Sequence, residues 1–178
     1  MGNHFFLTGK PRVGKTTVLK KIINALGIEN FGGFYTEEIV ENSNRTGFKI
    51  ISLDGEESVI ADINSNSDIR VGRYGVNISK FESIALHSIQ SSYNTKRITL
   101  IDEIGPMQIA SPKFLSTINQ FMQSSQTVLG TIYYTSHPKI DKIKSNSRMK
   151  IYNLTQENHN EVLTKVTYEL LKTNIFST

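Results

Sequence analysis

The chain has no cysteine among its 178 residues, which excludes disulfides, Fe–S clusters and thiolate zinc sites and is neutral on compartment. It also lacks any uninterrupted apolar stretch near the roughly 18 residues that a membrane-crossing helix requires, so no membrane partner is expected. Met1 to Thr8 carries no basic region followed by a long apolar one, and Gly9 and Lys10 interrupt it at once. A secretory signal is therefore not expected, and the cytoplasm is the default location. No Asn-Lys-x-Asp run occurs. His4, His87, His137 and His159 show no metal-ligand spacing.

What is present fits a soluble globular protein: 38% hydrophobic and 20% charged residues. The length suits one domain with a substantial core, so residues 1–178 are read as a single unit. Twenty Lys and Arg against sixteen Asp and Glu leave a net charge of +4. That surplus would attract polyphosphates or nucleic acid, and it equally describes a solvated basic surface. The basic residues are scattered except between His137 and Lys150.

Strands and helices alternate along most of the chain. His4-Phe5-Phe6-Leu7-Thr8 is continuously apolar, as a strand buried on both faces should be. Leu19, Ile22, Ile23 and Leu26 then recur at helical spacing, and Gly27 stops that helix. Between Gly33 and Ile63 the pattern becomes β-rich, with strands at 34–40, 48–53 and 58–63 separated by turn residues. The short connections predict antiparallel pairing and an insertion at about 33–63. Ser79 with Glu82 has the capping-box pattern for the next helix, and Ile98 to Ile101 reads as a second buried strand. Ser111-Pro112 starts a helix, Thr127 to Tyr133 is a third central strand, and Lys150 to Leu154 another. Thr155 is placed to cap a last helix. The fold class is three-layer α/β, a mostly parallel central sheet with an antiparallel β-rich insertion.

Gly9-Lys10-Pro11-Arg12-Val13-Gly14-Lys15-Thr16 fits G-x-x-x-x-G-K-[ST] at every fixed position, a phosphate-binding loop. Such a loop must bring its own N–H groups close to anionic oxygens, and glycine at 9 and 14 permits that approach. Lys15 can reach the β- and γ-phosphates, and the Thr16 hydroxyl can ligate Mg²⁺. The helix behind the loop points its positive N-terminus at the same oxygens. An ordinary βα turn with incidental glycines would not need the buried strand before it and the amphipathic helix after it.

Asp102 and Glu103 follow the apolar strand Ile98 to Ile101, at the end of a parallel strand where ligands sit. Asp102 would hold Mg²⁺, directly or through a water, as the acidic partner to Thr16, and Glu103 would orient or deprotonate an attacking water. Alone the pair would read as solvated charge; its place downstream of a phosphate loop points to chemistry instead.

Five stretches in this order resemble the cancer-related nucleoside-triphosphatase family of bacteria, archaea and animals. They are Gly14 to Thr17, Gly33 to Glu38, Arg45 to Phe48, Val71 to Val76, and Asp102-Glu103-Ile104-Gly105-Pro106-Met107. The likeness runs from about residue 4 to 165. It implies a P-loop domain with a RecA-like or AAA-like core that hydrolyses ATP, GTP and other nucleoside triphosphates with broad base tolerance. Carried over by position, residues 9 to 16 with Thr17 bind the phosphates, and Asp102 to Met107 form a second nucleotide-contacting stretch. The chain departs from the family pattern at Lys10 and Arg12, at Gln108 in place of glutamate, and at His159 where arginine is common.

Glu37 or Glu38 could approach the metal, and Arg12, Arg45, Arg70, Arg73 and Arg148 are candidates to neutralise transition-state charge. Two alternatives to hydrolysis stay open. One is a nucleotide, nucleoside or polynucleotide kinase using His137 to Lys150 as a lid; the other is a nucleotide-dependent RNA-binding module. No oligomeric state is read from the sequence.

Overall fold

Phe5 and Phe6 are neighbours on one strand and enter two different cores, because successive side chains of a strand point to opposite faces. That division organises the structure, a computed structural model describing residues 3–173. In chain order the elements are β1 (His4–Thr8), α1 (Lys15–Leu26), β2 (Phe31–Glu41), β3 (Asn44–Ser52) and β4 (Glu57–Asp62). There follow β5 (Arg70–Val71), β6 (Tyr74–Val76), α2 (Ile78–Thr95), β7 (Ile98–Ile104) and α3 (Pro112–Phe121). Then come β8 (Thr127–Ile132), α4 (Pro138–Lys144), β9 (Met149–Asn153) and α5 (His159–Leu171).

Among the described residues nine strands form one sheet in the order β5-β6-β4-β3-β2-β7-β8-β1-β9. The five strands from β2 to β9 in that order pair in parallel, and β2, β3, β4, β6 and β5 pair antiparallel. The β-rich stretch is thus no separate layer, and its first strand has a double allegiance. β2 pairs with β7 from Phe31 to Phe34 and with β3 from Phe34 to Glu41. The reversal into β3 is made by Asn42 and Ser43 at φ 49 and 64, a left-handed turn of the kind that suits strand twist. The stretch also reaches further than 63, through the small β5–β6 pair around Gly72.

On one face α1 and α5 bury Leu19, Ile22, Val162 and Val166 against Phe5, Leu7, Leu100 and Leu129. On the other, α2, α3 and α4 cover Phe6, Phe34, Ile101, Val128 and Ile132. Three edge-on rings fix the second face, with Phe34 at 6.0 Å from Phe81 and 6.2 Å from Phe114, and those two 5.0 Å apart. Truncating any of them to alanine should cost about 3–5 kcal/mol.

Two helix starts differ from expectation. Asn77, not Ser79, caps α2, accepting from the Lys80 N–H at 3.0 Å. Glu82 is instead claimed by Ser111 Oγ at 2.7 Å and Lys113 at 3.2 Å, joining α2 to the start of α3. Ser111 does cap α3, with Pro112 in its first turn. At the last helix Asn158 is the N-cap residue, and its side chain accepts from the Thr155 N–H at 2.8 Å, so Thr155 lies outside α5.

Candidate active site

Local sequence makes the loop between β1 and α1. Strand β1 is pinned between β8 and β9, and Gly9 leaves it at φ 155 with its α-carbon so near β9's end that a Cβ would lie 2.5 Å from the Leu154 carbonyl oxygen. Gly14 takes φ 95 at the N-cap of α1, a left-handed conformation that costs other residues energy. Its missing Cβ is also filled from outside: the His159 ring would stand 3.0 Å away. Arg12 adopts φ 63 at the loop's tip.

A cleft of about 640 Å³ opens over the C-terminal ends of β1, β7 and β8, walled on one side by β2 and β3. Gly9, Pro11, Arg12, Gly14, Lys15, Thr16 and Thr17 line it from the loop, and Asp102 and Glu103 from the end of β7. The two predicted halves of the site therefore meet. Thr16 Oγ1 donates to Asp102 Oδ2 at 2.7 Å, and Thr131 Oγ1 donates to Asp102 Oδ1 at 2.5 Å. Lys15 Nζ lies over the loop, donating to the carbonyl oxygens of Gly9 at 3.0 Å and Lys10 at 3.2 Å.

The acids are perturbed in a common direction. Burial pushes the Asp102 carboxyl up, opposed by the bonds from Thr131 and Thr16, the charge of Lys15 and the backbone of Thr36. Glu103 is pushed up to about 7, by burial first and then by the neighbouring Asp102 charge, with Lys15 opposing. A carboxyl poised near neutrality inside a cleft is a group suited to taking a proton from water. The hydroxyl of Thr16 and carboxylate of Asp102 are hard oxygen donors, the kind Mg²⁺ uses when phosphates and waters complete its shell. Among the described residues there is no cluster of three or more His, Asp or Glu that could hold a metal unaided.

A profile of the NTPase family matches residues 4–167 of this chain. The chain belongs to that family. Among its relatives, the nucleoside-triphosphatase THEP1 of Thermotoga maritima is 41% identical over 160 residues, 90% of this chain and 91% of that protein. The human cancer-related nucleoside-triphosphatase is 33% identical over 179 residues, covering 92% and 94% of the two chains. The crystal structure of THEP1 from Aquifex aeolicus superposes with a TM-score of 0.86 at 34% identity, covering 95% of this chain and 99% of that one. The solution structure of the human protein gives 0.81 at 31% identity, over 97% and 99%. The likeness to these NTPase-family structures extends to the mixed sheet and alternating helices of the P-loop α/β fold.

Several expectations need correction within this family member. Ile104, Gly105, Pro106 and Met107 do not line the cleft: Ile104 is buried in the core and Met107 packs against Ala61, Tyr74 and Val76. Gly105 acts at one remove, since a Cβ there would lie 3.3 Å from the Glu103 carboxyl carbon. Within the loop, Val13 is buried in the core beneath and the exposed Lys10 lends its carbonyl to Lys15, so neither side chain lines the cleft. The segment 137–150 is no lid; α4 is a crossover helix anchored through Ile140 and Ile143. Arg148 lies at the opposite end of the sheet, bonded to the carbonyls of Ser124 and Met122 and beside His4. Arg70 is bonded to the Ser65 and Arg73 carbonyls.

The hairpin of β2 and β3 brings further charged groups to the cleft wall. Glu37 pairs with Lys20 of α1 at 2.8 Å, and Glu38 faces the cleft between Arg45 at 2.7 Å and Arg12 at 3.8 Å. His159, a residue with no evident sequence role, proves to sit against Gly14 with its Nε2 buried and without a hydrogen-bond partner among the described residues. Its only sequence signal was the departure from arginine at that place.

Proposed function

We propose that this nucleoside-triphosphatase is a Mg²⁺-dependent phosphohydrolase that converts NTP and water to NDP and phosphate with little discrimination between bases. The observation that carries this reading is the 2.7 Å contact of Thr16 with Asp102, which joins the phosphate loop to the acidic end of β7 in one cleft. Loose base preference rests on the missing Asn-Lys-x-Asp motif.

The residues divide the work. Loop N–H groups from Gly9 to Thr16 and the N-terminus of α1 cradle the phosphates. Lys15 trades its two carbonyl partners for β- and γ-oxygens, an exchange of neutral acceptors for charged ones. Thr16 and Asp102 would hold Mg²⁺, which when bound draws charge from the phosphate oxygens. Glu103 orients a water for in-line attack and takes its proton. Thr131 fixes the Asp102 carboxylate from the side away from Thr16.

The test is release of free phosphate from ATP, GTP, CTP and UTP, with Mg²⁺ and in its absence, beside a Lys15→Ala control. Release by the wild type no faster than by that control rejects hydrolysis. Label passing from the nucleotide to an added nucleoside or polynucleotide acceptor would convert the reading to a kinase.

A further inference from the structure

The cleft is lined by four cations, Arg12, Lys15, Lys20 and Arg45, and four carboxylates, Glu37, Glu38, Asp102 and Glu103. Lys20 is engaged by Glu37 and stacked over Tyr35, and Lys15 is spoken for by the β–γ bridge. Two guanidinium groups remain, and they are held in different ways. Arg12 has a side chain 66% exposed and touches Glu38 only at 3.8 Å. Arg45 is 29% exposed, with Nη1 donating to Glu38 Oε1 at 2.7 Å and Nε donating to the Tyr74 hydroxyl at 2.8 Å. Its guanidinium lies 5.1 Å from the Phe48 ring centre and 5.7 Å from that of Tyr74. Arg73 steadies the Tyr74 hydroxyl in turn, at 3.2 Å, and bonds the Arg45 carbonyl. Two hydrogen bonds and two ring faces thus define the plane of Arg45, while its Nη2 makes no hydrogen bond among the described residues.

Its place along the cleft follows from the strands. The backbone of Thr36 lies against the Asp102 carboxylate, and Glu38 is the next residue of β2 on the same side. Arg12, at the tip of the loop that wraps the distal phosphates, reaches the same Glu38. Arg45 therefore stands at the terminal-phosphate end, on the wall facing the loop. We infer that Arg45 is a catalytic residue that stabilises charge on the terminal phosphoryl group as it transfers, with Glu38 and Tyr74 as its positioning residues. This rests on the hydrolytic reading above. In the step, the water oxygen bonds to the γ-phosphorus and the bond to the bridging oxygen breaks, its electron pair leaving with the NDP. The water's proton passes to Glu103. Arg45 donates an N–H to a non-bridging oxygen and transfers nothing. A fixed donor of this kind gains more in the transition state than in the ground state, because charge grows where it points.

The experiment compares Arg45→Gln, Arg45→Lys, Glu38→Gln and Tyr74→Phe with the wild type in three measurements. These are turnover with Mg²⁺ and ATP, affinity for a non-hydrolysable ATP analogue, and affinity for ADP with aluminium fluoride, a mimic of the transferring phosphoryl group. Arg45→Gln should lower kcat by about 10³-fold and abolish the gain in ADP affinity from aluminium fluoride, with analogue affinity within about threefold of wild type. Glu38→Gln and Tyr74→Phe should lower kcat by roughly ten- to a hundredfold with the same small change in analogue affinity. Arg45→Lys keeps the charge and loses the fork, and should fall with Arg45→Gln; it decides the matter if the glutamine variant does not fold. Turnover of both Arg45 variants near the wild-type rate overturns the inference, as does an equal loss of analogue and aluminium fluoride binding. A wild type that releases no phosphate sinks the hydrolytic reading itself, a result distinct from a working enzyme indifferent to Arg45.

Discussion

Replacing Glu103 with glutamine should make the protein less active and, above neutrality, more stable. The folded carboxyl titrates near 7 because burial and Asp102 both disfavour its charge, whereas in an unfolded chain it reverts to about 4.5. Below 4.5 the group is protonated in both states and contributes nothing. Between 4.5 and 7 the unfolded chain releases the proton that the folded one retains, so stability falls as pH rises, and above 7 the full penalty is present. The penalty is at most roughly 3 kcal/mol, and partial solvent access to this half-buried side chain lowers it. Glutamine keeps the shape and cannot ionise. Urea unfolding in EDTA without nucleotide, at pH 5 and pH 8, measures the difference. Glu103→Gln should lie within about 1 kcal/mol of the wild type at pH 5 and gain midpoint at pH 8, by up to about 1–2 M urea at ordinary slopes. Its phosphate release should fall at least a hundredfold with nucleotide affinity retained. Equal stability of the two proteins at both pH values would refute the electrostatic account, and full turnover would refute the assignment of Glu103.

Thr131→Val removes the 2.5 Å donor to Asp102 Oδ1 and should raise the Mg²⁺ concentration for half-maximal phosphate release by about 10–100-fold. Gly105→Ala should slow turnover by pressing on the Glu103 carboxyl 3.3 Å away, with little change in melting temperature, which activity and thermal unfolding together check. Gly14→Ala meets both the positive φ and the His159 ring, so His159→Ala should recover only part of its stability in a double-mutant cycle. At the far end of the sheet, burial pushes His4 down to about 4, with the Met122 carbonyl opposing and Arg148 adding to the shift. An unfolded His4 takes its proton near 6.5 and the folded one does not, so stability should fall as pH drops from 6.5 to 4, by up to about 3 kcal/mol. His4→Gln should flatten that limb of the denaturation profile.

The parts legible in the sequence are those whose determinants lie close together. β1, the loop and α1 are encoded within the first 27 residues by an apolar run, a fixed motif and a helical stripe, and the structure has each at its expected place. Asp102 and Glu103 were readable because a parallel strand delivers its last residues to the ligand side. Long-range partners were not readable. Glu82 matched a capping box locally, but Ser111 and Lys113 from another helix take its carboxylate. α4 escaped because it has only Ile140 and Ile143 to bury among charged residues, so its composition looked like solvated surface. His159 shows no motif; it matters through contact with a glycine at the other end of the chain.

The antiparallel half of the sheet follows from a demand of the active site on the backbone. A parallel strand has partners only as far as its neighbours run, and β2 loses β7 after Phe34. Extending it to Glu38 would leave a line of N–H and C=O groups unpaired beside a cleft. β3 pairs the other edge of β2, Thr36 with Ile50 and Glu38 with Phe48, so only the edge toward β7 stays open, where the Thr36 backbone meets the Asp102 carboxylate. Once the hairpin is there, the twofold alternation of β2 serves two neighbours at once. Glu37 faces α1 and holds Lys20, while Glu38 faces the loop and holds Arg12 and Arg45. The strand that braces the helix behind the phosphates is therefore the strand that aims charge at their far end.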